Sequence, residues 1–306
     1  MQAENQRLHS NRVDLLLSGK KPSLPEVASY LESKQRSPAS LLAAFRAPGD
    51  RQLLREALEK YPNDPQVNFS AFFKSDSPSE RRQRVEALKQ AAPENALANY
   101  LSAREYFKAG QTDRALEELQ AAAGKPQFQD YSPEFVANIE GAYSAAGCSP
   151  VEAKAVAAFT LELPHLAELR GVGQSLVELA TRYRQAGDDA SAQAALQMGA
   201  ALGRRLDEPG PQSSAIQDLV GIAIERNVLG AMDPGSPYDD AGHTVKDRLE
   251  ELTRQRQTIK DTLGGNDILA MLRAMPEPDQ IAFFDRMKAS GEVEAVQWAR
   301  RRQGKP

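Results

Sequence analysis

Apolar residues recur along this chain at intervals of three and four, and that spacing predicts helices. The clearest stretch is ALANYLSAREYFKAGQTDRALEELQAA, residues 96–122. Leu97, Leu101, Ala103 and Tyr106-Phe107 share one helical face, and Ala115, Leu116, Leu119 and Ala122-Ala123 share another. Gly110 between them supplies the left-handed residue that ends the first helix. Asp113 places a carboxylate near the positive end of the second. Ala103 and Ala115 are small enough for the two backbones to approach closely. Neither apolar face can be buried within one hairpin, so the unit requires neighbours.

The same order returns in LVELATRYRQAGDDASAQAALQMG, residues 176–199. Leu179-Ala180, Tyr183, Ala186-Gly187, Ala192, Leu196 and Gly199 match Ser102-Ala103, Tyr106, Ala109-Gly110, Ala115, Leu119 and Ala122. A degenerate copy lies between them: Phe135, Ile139, Ala142-Tyr143 and Ala145-Ala146-Gly147, then Ala153 to Phe159. The turn glycines Gly110, Gly147 and Gly187 therefore stand 37 and 40 residues apart. These hairpins resemble tetratricopeptide repeats, helix-turn-helix units of 34 residues, most specifically over residues 96–126 and 173–203. Asn99 and Leu176 occupy the place where that family usually carries a large aromatic. The chain as a whole is similar to uncharacterised bacterial proteins of this kind. The resemblance implies an all-α fold, a right-handed superhelix of antiparallel helix-turn-helix repeats, or α-solenoid.

The remaining pattern divides the chain into four expected segments. Residues 1–21 form an N-terminal helix, polar and uncapped, that reads as the end of a coiled coil or an anchor linker. Residues 22–92 hold helical hairpins at Leu24–Ser33, from Ser37-Pro38 through Phe45, through Leu53 to Tyr61, and over Val67–Phe73 and Ser79–Ala92. Residues 93–206 hold the core repeats. Residues 207–306 form a capping region with an apolar helix over Ile216–Leu229, a long charged helix from Thr244 to Leu263, and a final pair carrying Phe283-Phe284 and Trp298. The two aromatic sites are expected to cap the last repeat.

Composition narrows the function. Hydrophobic content of 41% with only 6% aromatics suits alanine-rich helix packing. Valine and isoleucine never alternate over a strand-length run. A net charge of −4 argues against a general nucleic-acid binder, and the runs at Arg81–Arg84 and Arg300–Arg302 read as solvated faces. Cys148 is the single cysteine, which excludes an intrachain disulfide and a thiolate metal cluster. No apolar run is long enough to span a membrane. The abrupt start at Met1-Gln2-Ala3 leads to the expectation that an upstream signal or anchor has been removed. The location is then cytoplasmic, or periplasmic in the cell envelope, and residues 1–21 are a candidate homo-oligomerisation element.

The search for chemistry finds no catalytic constellation, and no cofactor is expected. Glu162 and His165 share an E-x-x-H spacing, but one such motif broken by Pro164 falls short of a carboxylate-bridged metal site. Asp233, Asp239, Asp240 and His243 share a loop and could gather a cation, although aspartates there are also ordinary turn formers. His9 lies in the polar first helix. Gly171–Ser175 lacks the third glycine and the lysine of a phosphate loop, and reads as the break before the last hairpin. Ser18–Lys21 matches S-x-x-K by spacing alone. Cys148 follows a turn glycine and fills a small space.

A binding surface remains. The resemblance implies that the first helices of successive hairpins line a concave groove for a protein or peptide. That groove would present Leu97, Tyr100, Arg104 and Lys108, then Glu134, Ala137 and Gly141, then Gln174, Val177, Thr181 and Arg184-Gln185. The expectation is a non-enzymatic scaffold for protein–protein interaction. The alternatives are a metal-dependent regulator or enzyme using the Asp233–His243 loop, and a structural spacer.

Overall fold

The computed structural model describes residues 22–207, 214–264 and 267–304. The expected helix at residues 2–17, with His9, falls outside that range. So do Ser18–Lys21, most of the loop after Asp207, and Gly265-Asn266. Everything described is helix, turn or loop, and the extended pairings among these residues are isolated bridges at Asn95–Gln127 and Pro237–Thr244. The protein is all-α, as the periodicity predicts. It divides into two compact units, each built from separated stretches of chain.

Among the described residues the first unit comprises 22–98, 126–163 and 269–285. Its helices are α1 (Leu24–Ser33), α2 (Pro38–Arg46), α3 (Arg51–Lys60), α4 (Pro65–Phe72), α5 (Pro78–Ala91), α8 (Ser132–Ala145) and α9 (Pro150–Phe159). Local chemistry sets their starts. Ser37-Pro38, Asp64-Pro65, Ser77-Pro78 and Ser149-Pro150 each put an oxygen on the orphan amides and a proline where no amide is needed. At Ser149 the exchange is reciprocal, because Glu152 accepts from the Ser149 amide at 2.8 Å. Helix α8 packs against α1, α2 and α9. Tyr30 reaches across to it, donating to the Asn138 carbonyl at 3.2 Å while its ring covers Gly141. An aromatic knot of Phe69, Phe72, Phe73, Tyr131 and Phe135 concentrates much of a sparse aromatic complement in one place. Arg46 lies 3.7 Å over the Phe135 ring, and burial lowers its pKa to about 10. Phe284, expected with Trp298 over the last hairpin, instead meets Phe159 of the middle one at 5.7 Å.

Among the described residues the second unit comprises 99–125, 164–207, 214–264, 267–268 and 286–304. It holds most of α6 (Ala96–Lys108), then α7 (Thr112–Ala123), α10 (Pro164–Gln185), α11 (Asp189–Asp207), α12 (Ala215–Leu229) and α13 (Val245–Leu263). Two further helices, α14 (Asp267–Ala274) and α15 (Glu277–Arg302), complete the chain. The second is broken at Gly291 (φ 84°), between the members of the final pair. Helices α10, α11 and α12 pack mutually. They approach closely at Gly203, where an added Cβ would stand 2.8 Å from the Glu225 backbone nitrogen. Arg205 closes the C-terminal end of α7, donating to the Ala122 carbonyl at 3.1 Å and to the Lys125 carbonyl.

The three turn glycines behave alike. Gly110, Gly147 and Gly187 have φ of 71°, 87° and 79°. In each turn the amide after the glycine returns to a tyrosine carbonyl: Gln111 to Tyr106 at 2.9 Å, Cys148 to Tyr143 at 3.1 Å, Asp188 to Tyr183 at 2.9 Å. Ala115, Ala153 and Ala192 behind them are fully buried. One expectation needs correction. No break occurs at Gly171–Ser175, because α10 runs unbroken from Pro164. Gly171 and Gly173 serve close packing: a Cβ at Gly173 would come within 2.8 Å of Ile224.

Candidate functional site

The residues expected to line a groove separate into two groups. On α6, Leu97 and Tyr100 are buried, so neither offers a free side chain to a partner. Burial raises the Tyr100 pKa, and Arg205 opposes the rise through its charge and a hydrogen bond. Arg104 and Lys108, one turn apart, are turned toward α10. The Arg104 Nη1 donates to the Ser175 hydroxyl at 3.1 Å and to the Gly171 carbonyl at 3.3 Å, and its Nε stands 3.5 Å from Glu168. Lys108 reaches Glu168 at 2.8 Å and Glu105 at 3.0 Å. Two cations thus meet two carboxylates, and their charge is spent inside the unit.

On α10 the outer face is open. Gln174, Glu178 and Thr181 follow at helical spacing, all exposed. Gln174 donates to Glu178 at 3.2 Å, and the Thr181 hydroxyl donates back to the Val177 carbonyl at 3.0 Å. Arg184, also exposed, donates to the Ala231 carbonyl at 2.7 Å. In the first unit Glu134 and Ala137 are exposed on α8, whereas Gly141 is occupied by Tyr30. Gln174, Glu178 and Thr181 therefore form an exposed row on a continuous helix, with bonds to that helix's own residues.

The loop before α13 uses its aspartates on its own backbone. Asp233 accepts from the Gly235 amide at 3.1 Å; Asp239 accepts from Ala241 at 3.0 Å and from His243 at 3.1 Å. The other Asp239 oxygen meets the His243 ring at 2.7 Å, which raises the His243 pKa and lowers that of Asp239. Asp240 is exposed. Among the described residues no three His, Cys, Asp or Glu side chains converge to hold a metal. Glu162 precedes α10 and pairs with Lys74 at 3.3 Å, so it shares no helical face with His165, which is buried in the first turn. Cys148 packs beside Ile139, Tyr143, Ala153 and Val156.

One constellation escaped the sequence reading. Glu225 lies on the inner face of apolar α12 and is 0% exposed. Arg248 of α13 grips it with two bonds, Nε at 3.1 Å and Nη2 at 2.8 Å. The Tyr238 hydroxyl donates to the same carboxylate at 2.6 Å. Asp207, at the end of α11, stands 3.6 Å from Arg248, and Glu251 accepts from it at 2.8 Å. Burial raises the Asp207 pKa to about 7, against the pull of Arg248. Burial would lower the Arg248 pKa, but its bonds to Glu225 and Glu251 carry it above the ordinary arginine value. The available signal was a glutamate and arginine, Glu225-Arg226, inside the most apolar helical run.

No protein-family model, curated protein or solved structure matches the chain. Among the described residues, no helix is long and apolar enough to cross a membrane.

Proposed function

We propose that this chain is a non-enzymatic scaffold of tetratricopeptide-like hairpins, stacked as an α-solenoid, that binds a protein or peptide partner. The observation that carries the reading is the threefold recurrence of one hairpin turn at Gly110, Gly147 and Gly187, with the same backbone bond and the same buried alanine behind it. Recurrent units of this kind present one helix per hairpin as an ordered surface. In the last hairpin the row Gln174, Glu178 and Thr181 is such a surface, polar, exposed and rigid. Arg104 and Lys108 support that row by fastening α6 to the buried side of α10, and are not themselves the contacts.

Affinity capture from a lysate, with wild type beside the triple variant Gln174→Ala/Glu178→Ala/Thr181→Ala, tests the proposal. The variant should melt with the wild type, since these side chains bury nothing. A protein retained with sub-micromolar affinity by the wild type and lost by the variant supports the reading. Absence of any specific partner, or retention undiminished by the variant, defeats it.

A further inference from the structure

Arg46 is a largely buried cation with no carboxylate bonded to it among the described residues. It ends α2 with its guanidinium 3.7 Å over the Phe135 ring of α8, and its Nη2 donates to the Ser70 hydroxyl of α4 at 3.0 Å. That hydroxyl gives its own proton to the Gln66 carbonyl at 2.8 Å, so it serves Arg46 as a neutral acceptor. Arg46 Nη1 is shut off from solvent and, among the described residues, has no acceptor. A ring face and one hydroxyl are poor compensation for a charge taken out of water.

The carboxylate whose charge supports Arg46 is Glu162, in the loop after α9. Glu162 is bonded elsewhere: Lys74, just past α4, holds it at 3.3 Å, and its side chain is 78% exposed. An exposed pair of this kind is weakly held and easily exchanged. Arg46 and Lys74 thus share the influence of one carboxylate that neither holds firmly. All of these residues belong to the first unit.

We propose that Arg46 and Lys74 form a binding site for a small oxyanion, the phosphate or carboxylate group of a small molecule, with Glu162 as its internal competitor. The paired N–H groups of a guanidinium match either oxyanion. Nη1 supplies the donor that is still unmet, and Lys74 adds a flexible second charge once Glu162 is displaced. The Phe135 ring and the Ser70 hydroxyl hold the guanidinium in place before any ligand arrives. The site stands whether or not the partner-binding proposal does.

Titration of the full chain with inorganic phosphate, and separately with acetate, tests the site at an ionic strength held constant with chloride. Arginine side-chain nitrogen resonances are followed by NMR, and the Arg46 signal is assigned from its absence in Arg46→Lys. At least one probe should shift that signal saturably, and the tighter of the two identifies the oxyanion as phosphate or carboxylate. Glu162→Gln removes the competitor and should tighten binding about tenfold, whereas Lys74→Met should weaken it about threefold. Both positions are exposed, so both variants should melt with the wild type. An Arg46 signal that saturates with neither probe would overturn the site. So would a Glu162→Gln variant with unchanged or weaker binding, which makes Glu162 the resident partner of Arg46, or a Lys74→Met variant with wild-type affinity.

Discussion

A Cβ added at Gly171 would stand 2.6 Å from the Arg104 guanidinium carbon, so the bond that fastens α6 to α10 depends on a missing methyl group. The obstacle is the far end of a flexible side chain. Gly171→Ala should displace Arg104 and lose its bond to Ser175, at a cost of about 1 kcal/mol. The helix gains a similar amount from alanine, and the net change should stay within about 1 kcal/mol. Gly203→Ala is the opposite case. There the obstacle is the Glu225 backbone at 2.8 Å, which has no way to step aside, and the loss should exceed about 2 kcal/mol. Urea denaturation of the two variants gives the comparison.

The turn glycines carry a second prediction. At φ of 71°, 87° and 79° an L side chain is strained even in open space. Alanine at Gly110, Gly147 or Gly187 should cost about 1–2 kcal/mol each, and asparagine less. Similar losses at all three by thermal melting would match their common geometry.

Arg248→Ala should be among the most damaging substitutions outside the apolar core. It strands Glu225, fully buried, and should cost about 3–5 kcal/mol. Replacing the pair together, as Glu225→Leu/Arg248→Met with Tyr238→Phe, should be milder than Arg248→Ala alone. Equilibrium unfolding measures both.

Stability should decline at both ends of the pH scale, for different residues. The Asp207 pKa is raised to about 7 by burial, so its stabilising effect is complete below the ordinary aspartate range and fades as pH climbs through about 7. The Glu56 pKa is lowered to about 2, chiefly by its hydrogen bond from Arg36, so its effect holds above the ordinary carboxylate pKa and fades as pH falls toward about 2. Urea midpoints across this range should show Asp207→Asn flattening the alkaline limb and Glu56→Gln flattening the acid one.

Much of the fold was legible because its signals are local. Ser37-Pro38, Thr244 and the three turn glycines announce helix ends through groups within a few residues of each other. Gly171 and Gly173 were misread for the converse reason. Their smallness answers to Arg104 and Ile224, distant in sequence, and nothing nearby distinguishes such a glycine from a breaker. The same limit hid the Glu225 centre, whose members Asp207, Glu225, Tyr238 and Arg248 come from three helices and a loop. The resemblance to tetratricopeptide hairpins implied a groove face of α6 carrying Tyr100 and Arg104; it could not show that packing closes over Tyr100 while Arg104 turns to α10.

The claim that the open face of α10 receives a partner is tested most directly by calorimetric titration. The captured partner is titrated into wild type and into the Gln174→Ala/Glu178→Ala/Thr181→Ala variant, with Arg82→Ala, an exposed position of the first unit, as control. The account predicts saturable binding to the wild type and the control, weakened at least about tenfold in the triple variant, equivalent to about 1.4 kcal/mol. Equal affinity for all three proteins would contradict it.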